Sequence, residues 1–101
     1  MHLIQLLLPL KDNDGQRYED HIFKSINASL VAKFGGVTAF SRSPAKVTWV
    51  NADRLERDDV VVVEVMAEHL DREWWQSFRE RLEAELAQAE IVIRTHLIDR
   101  L

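Results

Sequence analysis

Residues 60–66 read Val60, Val61, Val62, Val63, Glu64, Val65, Met66, a β-branched run with one charge inside it, and this stretch decides the fold. Branched side chains suit a pleated, packed surface, and the run has the length of a strand, not of a helix. It predicts the central strand of a sheet. On its N-terminal side, the polar residues Asn51 to Asp59 predict a hairpin loop. Before them, Val37 to Arg42 predicts a second strand, broken by Pro44 and resumed over Lys46 to Val50. On the C-terminal side, Asp71 suits a helix N-cap, with Leu70 and Trp75 in the two positions of a hydrophobic staple. Trp75, Phe78, Leu82, Leu86 and Ala89 then recur as a buried helical stripe, while Arg79 with Glu83 and Arg81 with Glu85 stand four apart on the solvated side. Glu90 to Ile98 predicts the last strand.

The beginning of the chain completes the pattern. His2 to Leu8 predicts a first strand that ends at Pro9, and Lys11 to Gln16 is a polar loop with an Asn-Asp-Gly turn. Ile22, Phe23, Ile26, Leu30 and Phe34 predict a helix over Tyr18 to Phe34, stopped by Gly35 and Gly36. Strand, helix, strand, strand, helix, strand is the order of an α+β, ferredoxin-like βαββαβ domain. Right-handed crossovers then predict a four-stranded antiparallel sheet in the order 4-1-3-2, with both helices on one face.

With 101 residues, 47% hydrophobic and 30% charged, the chain has material for one domain, residues 1–101, and no second core. The 13 basic and 17 acidic residues give a net charge of −4, and the basic ones are interspersed. That leaves no electrostatic footprint for nucleic acid or an anionic membrane. No cysteine is present, so disulfides and thiolate metal sites are excluded, in keeping with a cytoplasmic protein. The apolar run Leu3 to Leu8 is too short to cross a bilayer and lacks the flanks of a signal peptide.

Alternation assigns Ile4, Leu6, Leu8, Val61, Val63, Val65, Ile91, Ile93 and Leu97 to the helix side of the sheet. The other face receives Leu3, Gln5, Leu7, Val60, Val62, Glu64, Met66, Val92, Arg94, His96 and Ile98, with Phe40 and Arg42 from the second strand, which is too apolar for water. A second copy of the chain is its simplest cover, giving a homodimer through the helix-free face. Within it, Gln5, Glu64 and Arg94 fall mid-strand and are expected to align in one row, Glu64 and Arg94 satisfying one another directly or through Gln5 or the partner chain. The row serves either to specify an interface or, with His96 nearby, to line a small cavity where Glu64, Arg94 and His96 act as catalytic groups. Gln5 and Trp49 are the candidate ligand-binding residues, for a small apolar or aromatic ligand; Trp49 either caps a cavity or clasps a partner subunit.

Other chemistries do not fit. Asp12, Asn13, Asp14, Gly15 has the opening of a calcium loop, but the sixth position is Arg17 and the twelfth Phe23. The strands lack the stacking aromatics of RNA-binding domains, no Cys-x-x-Cys loop exists, and Gly35-Gly36 stops a helix instead of opening one. No cofactor and no metal site is expected.

Phe-Gly-Gly-Val-Thr-Ala at 34–39, Ser-Pro-Ala at 43–45, Trp49, Arg-Asp-Asp-Val-Val at 57–61 and Asp-Arg-Glu-Trp-Trp at 71–75 together resemble a family of short bacterial proteins of unknown function. At fold level the chain is similar to the dimeric α/β-barrel superfamily, which includes cofactor-free monooxygenases and isomerases. The resemblance implies a dimer, and no catalytic motif of those enzymes matches residue by residue. From the residues, a dimer acting through subunit or partner contacts is the first functional expectation, and a small-molecule-binding or cofactor-independent enzyme the second.

Overall fold

A computed structural model describes the backbone of residues 1–51 and 54–101, and the side chains outside 39–59. The elements run β1 (His2–Pro9), α1 (Asp20–Phe34), β2 (Thr38–Asn51), β3 (Arg54–Ala67), α2 (Arg72–Glu85) and β4 (Val92–Leu97). β1 lies between β3 and β4, antiparallel to both, and β2 hydrogen-bonds to the far edge of β3, so the strands follow one another as β2-β3-β1-β4.

This register corrects the four-stranded ferredoxin-like sheet predicted from the sequence. The layer that carries the domain is three-stranded, β3-β1-β4. β2 runs beside it at Thr38, Ala39 and Phe40, opposite Glu64, Val63 and Val62, and again at Ala45, opposite Val60. After an irregularity between Phe40 and Ala45, the pairs Lys46↔Asp59 to Asn51↔Arg54 lie past the last β1 partner of β3, Val60. β2 and β3 thus continue together as a two-stranded arm. The expected loop Asn51 to Asp59 is mostly strand in that arm, and its sequence carries no apolar alternation to mark it as one.

One face of the three-stranded layer is covered. Ile4, Leu6 and Leu8 from β1 and Val61, Val63 and Val65 from β3 are buried against Ile26 and Leu30 of α1 and Trp75, Phe78 and Leu82 of α2. Leu97 was expected in this set, yet it is 74% exposed; it pairs with His2 at the sheet margin, beyond the core. Asp71 caps α2, its carboxylate accepting from the Trp74 N–H at 3.1 Å. Trp74, Trp75, Phe78 and Phe34 join the two helices as one aromatic cluster, with Phe34 stacked on Trp75 at 5.2 Å and Trp74 on Phe78 at 4.9 Å. α1 starts two residues later than Tyr18, whose hydroxyl donates to the Leu86 carbonyl. α2 ends at Glu85, so Ala89 lies outside it and is exposed.

Candidate functional site

The register of the central layer sets Gln5 opposite both Glu64 on β3 and Arg94 on β4. All three side chains fall on the face that neither helix covers. The Gln5 Nε2 donates to Glu64 Oε2 at 2.7 Å, and the Gln5 Oε1 accepts from Arg94 Nε at 2.9 Å. An amide has one donating and one accepting end, so a carboxylate on one side and a guanidinium on the other fix its orientation. The expected row therefore exists in its bridged form: Glu64 and Arg94 are linked through Gln5. Glu64 and Gln5 are partly buried and Arg94 is exposed.

Glu64 also stands at the edge of a basin of about 900 Å³ on the same face. Leu3 and Met66 give it apolar walls beside the carboxylate, and the turn Gly35-Gly36 after α1 forms its rim. Gly35 takes φ 83, closing the helix as its N–H donates to the Val31 carbonyl at 2.8 Å; the left-handed turn aims the chain back along the sheet edge. Glu68, His69, Lys33 and Arg100 add to the polar side. The sequence did not point to these four, because they come from the β3–α2 connection, the last turn of α1 and the C-terminus, and only tertiary folding brings them together.

The structure does not unite the whole predicted set. His96 faces Leu3 on β4, is exposed, and takes no part in the row's hydrogen bonds. The side chain of Trp49 lies outside the described residues. The calcium-like stretch is a tight turn in which Asp12 Oδ1 accepts from the N–H groups of Asp14 and Gln16, both at 2.9 Å. Among the described residues no three His, Cys, Asp or Glu side chains are grouped to hold a metal, and no helix is long and apolar enough to cross a membrane.

No family model matches the chain, and no curated protein sequence matches it. Among solved structures it is similar to a phage SAM lyase in complex with S-methyl-5′-thioadenosine, with a TM-score of 0.66 and 11% identity over 94% of this chain and 79% of the other. The apo state of a phage SAM lyase gives a TM-score of 0.60 at 11% identity, over 94% of this chain and 78% of the other. At that identity the likeness is one of fold: the chain is a small α+β domain of the same kind.

Proposed function

We propose that this protein binds a small ligand in the basin beside Glu64, and that the ligand is a nucleoside bearing an alkylthio group or its positively charged sulfonium form. The observation that carries the reading is the Glu64 carboxylate, held by Gln5 at the border of an apolar-walled basin on an uncovered sheet. Leu3 and Met66 suit an aromatic base and a thioether, and the carboxylates of Glu64 and Glu68 suit a positive charge. A lyase of the same fold with S-methyl-5′-thioadenosine bound supports the ligand class. A second copy of the chain stacked on the helix-free face, as in a dimeric α/β barrel, closes the basin from outside.

Calorimetric titration with S-methyl-5′-thioadenosine and with its S-methylsulfonium tests the reading. Both are expected to bind saturably, the sulfonium more tightly, and Glu64→Gln is expected to abolish that difference while leaving the neutral thioether bound. Absence of saturable binding of either compound refutes it. Turnover is a separate readout, followed as loss of the sulfonium from the mixture.

A further inference from the structure

On the other side of the sheet, a groove of about 340 Å³ runs between α2 and the outer edge of β4. Arg72, Trp75, Gln76 and Arg79 line it at helical spacing from α2, opposite Ile93 and Thr95 of β4. In a chain of net charge −4, it presents two helix arginines and has no carboxylate in its lining.

Two donors in this wall are unsatisfied. Trp75 is 6% exposed and its Nε1 is buried without an acceptor among the described residues, as is the Nε of Arg79. Arg79 was expected to pair with Glu83 one turn on. Instead Glu83 Oε2 accepts from the Ile91 N–H at 2.9 Å, which ties the start of β4 to α2 and leaves the guanidinium without its partner. Arg81 on the outer face does find Glu85, at 3.0 Å.

The free edge of β4 adds to this. Ile98 donates to the Met1 carbonyl, so in an antiparallel ladder the pairs Leu3↔His96 and Gln5↔Arg94 are the hydrogen-bonded ones. The backbone groups of Ile93 and Thr95 therefore point outward along the groove. Buried donors are nearly always paired with protein, water or ligand, and guanidinium groups match carboxylate and phosphate geometry.

We propose that this groove is a second binding site, for a small organic anion. Its carboxylate or phosphate sits on Arg79, Arg72 and the Trp75 N–H, and its apolar part lies against Leu70 and Ile93. The site is independent of the basin beside Glu64, which opens on the opposite face.

The test is a titration of the full chain with phenyl phosphate, hexanoate, inorganic phosphate and phenol, followed by the NMR signals of the Trp75 indole N–H and the Arg79 Nε–H. Both organic anions are expected to shift these two signals saturably by about 10 mM, at least tenfold more tightly than inorganic phosphate, with no response to phenol. Which of the two anions binds tighter identifies the head group. Arg79→Gln is expected to weaken binding at least tenfold and Arg81→Gln to leave it unchanged; Arg72→Gln, on an exposed first turn, serves the same purpose if the Arg79 variant does not fold. Unshifted signals, equal affinity for inorganic phosphate, or unchanged binding in the folded arginine variants overturns the proposal.

Discussion

Gln5 and Glu64 stand directly opposite one another across the β1–β3 ladder and share a 2.7 Å hydrogen bond. Because the other end of the Gln5 amide is held by Arg94, one neutral side chain stitches all three strands of the layer together. It also separates the two charges, which is the bridged one of the arrangements that the sequence left open.

Removing the bridge and removing a charge therefore have different effects. Gln5→Leu deletes both hydrogen bonds and is expected to cost about 1–2 kcal/mol, measured by urea denaturation. Glu64→Gln keeps an oxygen that accepts from Gln5 and is expected to cost less than about 1 kcal/mol. In the double-mutant cycle of Glu64→Gln with Arg94→Met, the coupling is expected to stay below about 0.5 kcal/mol. A coupling of more than about 1 kcal/mol shows a direct ion pair and overturns the bridged arrangement.

Among the described residues Asp71 is the only side-chain N-cap of the two helices, α1 having none at Glu19. Asp71→Ala is expected to lower stability by about 1 kcal/mol, and Asp71→Asn by only a few tenths. An Ala variant as stable as the parent shows that the 3.1 Å bond to the Trp74 N–H contributes nothing.

The elements that pack a core were legible in the sequence. The valine run at 60–66 and the stripe Trp75, Phe78, Leu82 carry strong periodicity because burial demands it, and the strict alternation of β1 placed Gln5 on the bare face with the right neighbours. The arm was not legible. Residues 54–59 carry no apolar alternation in the sequence, so nothing in their pattern distinguishes a strand from a loop. The fate of Glu83 was hidden for a different reason: spacing on a helix shows which partners are in reach, but not that the Ile91 N–H competes for the carboxylate.

Ala87 follows the end of α2 with φ 50, a left-handed conformation that costs a residue with a Cβ about 1–2 kcal/mol. Gly is the usual solution at such a position. Ala87→Gly is expected to raise stability by about 0.5–1 kcal/mol once the greater freedom of glycine in the unfolded chain is deducted. Thermal denaturation checks this, and a lower melting temperature counts against the strained turn.

Leu7 tests how the helix-free face is covered. It pairs with Val62 on one side and Val92 on the other, is half-buried, and points away from the core formed by Leu6 and Leu8. With Leu3 on the same face beyond Gln5, these side chains give the face an apolar character that water covers poorly. If a second copy of the chain stacks on this face, light scattering at about 50 µM should give twice the 11.8 kDa chain mass. Leu7→Lys then sets two like charges near the twofold axis and should return the mass to that of one chain. Since Leu7 lies outside the buried cluster, the variant should keep its circular dichroism and its cooperative melting. A parent that stays monomeric at this concentration, or a folded Leu7→Lys variant that stays dimeric, places any association elsewhere than on the sheet.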